Sequence, residues 1–102
     1  MNLKERMINI IDKINETSAL FYQGFKLEGY QELENVIVNL LSLTEELTHF
    51  EQERLELISI GELNACLMSC VEAMEQSDVV LISDILNYDL KEILEGMSVA
   101  IN

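Results

Sequence analysis

The chain has 102 residues, of which 49% are apolar and 25% charged, a balance that is typical of one globular domain and argues against a disordered chain. It contains no proline and only four glycines, which favours helices over an all-β fold. Nineteen acidic and six basic residues give a formal net charge of −13. Because such a surface repels phosphate groups, neither nucleic acid nor an anionic membrane is an expected partner.

Apolar residues spaced three and four positions apart predict the first two helices. The first covers about residues 2–23 and ends at Gly24, because glycine adopts the left-handed conformation after a helix without strain. The second covers about residues 28–50, and its apolar face is wide enough to contact two neighbours, which predicts a central position. Residues 51–58 either continue this helix or form a loop. The predicted core residues are Leu3, Met7, Ile10, Ile11, Ile14, Thr17, Phe21, Tyr30, Leu33, Val36, Ile37, Leu40, Leu41, Leu43 and Leu47.

The third predicted helix covers about residues 60–76. It begins at a capping box, S-x-x-E, in which the side chains of Ser59 and Glu62 accept hydrogen bonds from each other's backbone N–H groups. Cys66 and Cys70 lie one turn apart within its apolar stripe. We predict buried free thiols, because a structural zinc site needs four ligands and a regular helix does not favour a disulfide at this spacing. The other predicted core residues are Ile60, Leu63, Leu67, Val71 and Met74.

The fourth predicted helix covers about residues 78–95. Ser77 or Asp78 caps its first turn, and Gly96 ends it. Four helices joined by short connections predict an all-α fold, a compact antiparallel four-helix bundle that forms a single domain over residues 1–102. The core residues predicted for the last helix are Val79, Ile82, Leu86, Leu90, Ile93, Leu94 and Met97.

A second apolar stripe on the last helix is the strongest functional signal in the sequence. Leu81, Ile85 and Tyr88 fall opposite the core stripe when each residue turns the helix by about 100°. Asp84 lies in the polar sector beside them, and Asp89 falls between the two stripes. Either both faces are buried within the monomer, or the second stripe and Asp84 bind a partner, with self-association as the simplest case.

The sequence offers little for catalysis or metal binding. Its single histidine, His49, falls on the polar face of the second helix with no nucleophile beside it. Glu46 and His49 form an E-x-x-H pair, the spacing found in di-iron bundles, but such a site needs a second copy and further carboxylates. A carboxylate–histidine metal site in a dimer is therefore a remote alternative. No cofactor and no small-molecule substrate are expected.

Two patterns along residues 17–95 carry a family resemblance. An aromatic-x-x-Gly turn leads into the second helix, and an acid before an apolar run, followed by Asp-x-Leu-x-Tyr-acid, marks the last helix. The residues concerned are Phe21, Gly24, Asp78, Asp84, Leu86, Tyr88 and Asp89. In these patterns the chain resembles a family of uncharacterised, small, acidic, all-helical bacterial proteins. The resemblance implies a helical fold without an established activity, and some members occur in motility settings.

Charge and size suggest what kind of partner to expect. Residues 1–26 carry three acids and four bases, whereas residues 27–102 carry 16 acids and two bases. In composition and size the chain is also similar to flagellar and type III export chaperones, a likeness that implies binding of helical clients. We therefore expect a non-enzymatic protein-binding module, adaptor or export-chaperone-like, with a structural or regulatory homodimer as the alternative. No segment resembles a membrane span or a signal peptide, which predicts a cytoplasmic protein.

Overall fold

In the computed structural model, residues 2–51 and 60–100 are described, and this part of the chain is helical without a strand. The all-α prediction is confirmed. The fourth helix contains three consecutive parts, which are α-helical, π-helical and α-helical. The helices are α1 (Leu3–Tyr22), α2 (Lys26–Glu51), α3 (Ile60–Glu75) and α4 (residues 79–100), the last built from Val79–Asp84, the π turn Ile85–Leu90 and Lys91–Ala100.

The four helices form a ring in which each packs against two neighbours. Helix α1 contacts α2 and α4, and helix α3 contacts the same two. Arg6 near the start of α1 pairs with Glu46 near the end of α2, while Phe21 meets Tyr30 at the other end, so this pair is antiparallel. The bundle measures 42 × 24 × 19 Å. The predicted antiparallel bundle is confirmed, but α2 is no more central than the other helices.

Gly24 ends α1 as predicted. Its φ of 85° lies in the left-handed region, where a side chain is disfavoured. The Phe25 N–H donates to the Leu20 carbonyl at 2.9 Å, and the Gly24 N–H donates to the Phe21 carbonyl at 3.1 Å. These two bonds define a Schellman motif, which satisfies carbonyls at the end of the helix and turns the chain sharply into α2.

The turn between α3 and α4 repeats this geometry with serine in place of glycine. Ser77 has a φ of 54°, its N–H donates to the Met74 carbonyl, and the Asp78 N–H donates to the Ala73 carbonyl, both at 3.0 Å. The Asp78 side chain then accepts from the Leu81 N–H at 3.1 Å. Asp78 is therefore the cap of α4, whereas Ser77 belongs to the end of α3 and holds a conformation that costs a non-glycine residue free energy.

Most of the predicted core is buried, with two exceptions. Leu41 is 55% exposed and Val71 is 41% exposed, because each lies at the edge of its apolar stripe rather than at its centre. Four small or polar residues among those described are buried although they were not predicted. These are Ser18, Gly29, Ala73 and Ser83.

Gly96 does not end α4, so the predicted end of this helix is wrong. The helix continues to Ala100, and Met97 is only 3% exposed. Burying a methionine side chain stabilises the fold by about 1.5–3 kcal/mol, whereas a glycine inside a helix costs about 1 kcal/mol relative to alanine. The capping box at Ser59 and the chain after Glu51 fall on residues 52–59, which lie outside the described residues.

The spacing of the core residues explains the π turn. Ile82, Leu86, Leu90 and Leu94 recur every four positions and all are buried. In a regular α-helix each step of four rotates the side chain by about 40°, so three steps would carry it away from the core. Within the π turn, hydrogen bonds span five residues, as from the Lys91 N–H to the Leu86 carbonyl, and the wider turn returns the stripe to the core.

Candidate functional site

The predicted second stripe of α4 is divided by the π turn. Leu81 is 42% exposed and Tyr88 is 65% exposed, but Ile85 is only 4% exposed and belongs to the core. Asp84 is exposed, as its place in the polar sector predicted. The expectation of one continuous external stripe is therefore wrong at Ile85, which cannot contact a partner directly.

The π turn produces this division by shifting the helical register. Seven residues of a regular α-helix make nearly two turns, which would place Leu81 and Tyr88 on almost the same face. A wider turn between them rotates Tyr88 relative to Leu81 and directs Ile85 inward. Asp89, which the sequence placed between two stripes, is exposed. Sequence periodicity could not reveal this shift, since it assumes one period throughout the helix.

Tyr22 joins the exposed side chains around the π turn, and sequence reasoning did not select it. Asn87 Nδ2 donates to the Tyr22 hydroxyl at 3.2 Å, linking the end of α1 to α4. Tyr22 remains 62% exposed, so its ring faces solvent. We use the name π-turn surface for the exposed side chains that precede the π turn or lie at it, which are those of Tyr22, Leu81, Asp84 and Tyr88. A tyrosine offers a large rigid apolar ring and a polar hydroxyl, the combination that is enriched where proteins bind each other.

A groove lies between the start of α3 and the second half of α4, from Asp89 in the π turn to Met97. Its volume is about 590 Å³. Three carboxylates line it, those of Glu62, Asp89 and Glu92. The remaining lining is small or apolar and consists of Ala65, Ile93, Gly96 and Met97. We call it the acidic groove.

A smaller groove of about 260 Å³ between α1 and α2 carries the basic side chains of Arg6 and Lys13. Both are engaged within the chain. Arg6 pairs with Glu46 and donates to Ser42 Oγ at 3.2 Å, and Lys13 pairs with Glu16 at 3.3 Å. This groove therefore offers few uncompensated charges.

The two cysteines are buried free thiols, as predicted. Burial raises the pKa of both thiols from 9.0 to about 11, and the charges of Asp89 and Cys70 add to the rise at Cys66. Thiols with such a pKa stay protonated at neutral pH, and a protonated thiol is a poor nucleophile. The cysteines therefore pack as small apolar residues.

The structure gives no support to a metal site at Glu46 and His49. The Glu46 carboxylate is paired with Arg6, and the His49 side chain lies outside what the structure describes. Across residues 2–51 and 60–100, no three His, Cys, Asp or Glu side chains are grouped so that they could hold a metal ion. Over the same residues, no helix combines the length and apolar character that crossing a bilayer requires.

Over the described residues the protein is a small all-helical bundle with two exposed tyrosines, Tyr22 and Tyr88, and an acidic groove. The chain belongs to the family described as Domain of unknown function (DUF8042), whose match covers residues 2–99. This confirms the resemblance to an uncharacterised helical family. No curated protein and no solved structure matches the chain, so the likeness to export chaperones has no support.

Proposed function

We propose that this protein is a non-enzymatic protein-binding module and that the π-turn surface is the face that receives its partner. The observation that carries the proposal is the exposure of two tyrosines, Tyr88 at 65% and Tyr22 at 62%. Tyr22 accepts a hydrogen bond from Asn87, the residue before Tyr88 in the chain. Two large rings held on rigid helices can bury apolar area on binding with little loss of conformational entropy.

Three further observations support this choice. Leu81 and Asp84 add an exposed apolar and an exposed charged side chain on the same helix, and Ile85, next to Asp84 in the chain, is anchored in the core. π turns within α-helices occur frequently at functional sites. The raised pKa of both thiols makes them poor nucleophiles at neutral pH, and in residues 2–51 and 60–100 no three His, Cys, Asp or Glu side chains are grouped to hold a metal ion. We place the protein in the cytoplasm, where reduced thiols persist.

Because Ile85 is buried, a test of the proposal must use its exposed neighbours. Leu81→Asp and Tyr88→Asp each add a charge to the π-turn surface without entering the core. Val38→Asp is the matched control, since Val38 is exposed to 64% on α2. Each variant and the wild type would be immobilised and exposed to a lysate of the source cells, and retained proteins identified by mass spectrometry. We expect a protein retained by wild type and Val38→Asp that both α4 variants lose.

The alternative, a homodimer without another partner, uses the same variants. Light scattering of the wild type would then give the mass of a dimer, and Tyr88→Asp would give that of a monomer. Both hypotheses would be contradicted if the wild type is a monomer and retains no protein that the Leu81→Asp and Tyr88→Asp variants lose.

A further inference from the structure

The acidic groove is lined by residues that are not part of the π-turn surface, and it is more strongly charged. Its edges carry three carboxylates and its floor is apolar, with Met97 3% exposed and Ile93 half-buried. In the described part of the chain no ion pair involves Glu62, Asp89 or Glu92. Residues 60–100 contain eight acids and a single base, Lys91. Within residues 60–100 the negative charge of the groove is therefore not balanced by positive charge.

Gly96 in the groove has no explanation within the monomer. It lies inside a helix without a positive φ, so its backbone does not need glycine. A Cβ atom added there would meet nothing within 4 Å, so packing does not need glycine either. An exposed glycine inside a helix costs about 1 kcal/mol relative to alanine. The missing side chain leaves room above Gly96 for another backbone to approach, with Ala65 also small on the facing helix.

We propose that the acidic groove docks an amphipathic helix rich in lysine and arginine from a partner protein. The apolar side of that helix would lie on Ile93 and Met97, with its backbone nearest Gly96. Its basic side chains would pair with Glu62, Asp89 and Glu92, and the net charge of −13 would steer it toward the groove.

A second copy of this chain is a poorer occupant on grounds of charge. Two copies repel each other, because each carries −13. Two of the three basic side chains of α1, those of Arg6 and Lys13, already pair with Glu46 and Glu16 of their own chain. They would have to leave these partners before they could enter the groove of a neighbour.

A fluorescein-labelled, 18-residue helical peptide of leucine and lysine can serve as the probe, with binding followed by fluorescence anisotropy at low and moderate salt. One groove variant is Gly96→Leu, which occupies the space above the helix. The other removes three charges, Glu62→Gln with Asp89→Asn and Glu92→Gln. The matched control removes three charges outside the groove, Glu34→Gln with Glu72→Gln and Glu75→Gln. Circular dichroism verifies that all variants are folded.

We expect saturable binding that weakens with salt. Affinity should fall on the order of tenfold in the triple variant, because three exposed ion pairs together contribute about that factor. It should fall by a similar factor in Gly96→Leu, because the leucine side chain occupies the space that the peptide backbone needs. The control variant should change affinity by less than about threefold, since its charges act only at long range. Leu81→Asp, on the π-turn surface, should bind the probe as the wild type does.

Three results would overturn the proposal. Absence of saturable binding excludes a docking groove for basic helices. Equal weakening in the control and groove variants shows a general charge effect instead of a site. A wild-type dimer in sedimentation velocity that Gly96→Leu converts to a monomer identifies a second copy as the occupant. None of these results depends on whether the π-turn surface binds a partner.

Discussion

The helical hairpins α1–α2 and α3–α4 share the same kind of turn but differ in helix regularity and in charge. Both end their first helix in a Schellman turn, but the first uses Gly24 and the second uses Ser77. The first hairpin is regular and ties down Arg6 and Lys13 in ion pairs. The second contains a π turn, an open groove and eight acids against one base. Irregularity, strain and uncompensated charge are thus concentrated in one hairpin, and functional sites are where such features are expected.

The largest expected effect concerns the π turn. Ile85→Ala should lower the free energy of unfolding by about 2–4 kcal/mol, because it removes buried methyl groups and leaves a cavity. Leu81→Ala should cost less than about 1 kcal/mol, since its side chain is 42% exposed. Urea unfolding followed by circular dichroism measures both. Similar losses for the two variants would contradict the register shift that separates Leu81 from Ile85.

Two helical glycines sharpen the comparison between the hairpins. A Cβ atom at Gly29 would lie 2.7 Å from the Phe21 ring, whereas one at Gly96 would meet nothing within 4 Å. Gly29→Ala should therefore destabilise the first hairpin by about 1–2 kcal/mol through overpacking. Gly96→Ala should stabilise the second by about 0.5–1 kcal/mol through helix propensity. Thermal unfolding checks both signs, and a stabilising Gly29→Ala would show that the Phe21 ring has room to move.

Exchanging glycine and serine at the two Schellman turns should change stability in opposite directions. Ser77→Gly should stabilise the protein by about 0.5–1 kcal/mol, because glycine adopts the left-handed conformation without strain. Gly24→Ser should destabilise it by a similar amount at the equivalent position. Chemical unfolding of both variants measures the pair. If Ser77→Gly is the destabilising one, serine makes a contribution at this turn that its backbone conformation does not explain.

The smallest effect near neutral pH concerns the thiols. In the folded state the pKa of each thiol is about 11, above its ordinary value of 9.0, so the folded state keeps protons that the unfolded chain releases. Their contribution to stability is therefore complete below pH 9 and is lost as the pH rises toward 11. Unfolding at pH 8 and pH 9.5 should show a larger loss for wild type than for Cys66→Ala with Cys70→Ala. Equal losses would mean that the thiols titrate alike in both states.

Much of the fold was predictable from the sequence because it follows from local signals. Apolar periodicity located four helices, and Gly24 marked a turn that only glycine adopts easily. Gly96 led to a wrong helix end, because the free energy gained by burying Met97 exceeds the cost of a glycine inside the helix. The turn at Ser77 was not recognised, since serine is a usual cap and an unusual left-handed residue.

The candidate surface was predictable only in part. Leu81, Asp84 and Tyr88 are exposed as the wheel suggested, but Ile85 is not. A wheel with one fixed period cannot include a π turn, although the run of four-residue steps from Ile82 to Leu94 was a visible sign of it. Tyr22 and the acidic groove combine residues from different helices, and neighbours in space do not show in a single sequence.

The register shift at the π turn is the central claim, and thiol labelling tests it most directly. Leu81→Cys, Ile85→Cys and Tyr88→Cys would each be labelled with a thiol reagent under native conditions, with wild type showing the background from the buried Cys66 and Cys70. We predict rapid labelling at positions 81 and 88 and protection at position 85. If Ile85→Cys remains folded and reacts as fast as Leu81→Cys, the second stripe is continuous and the π turn does not divide it.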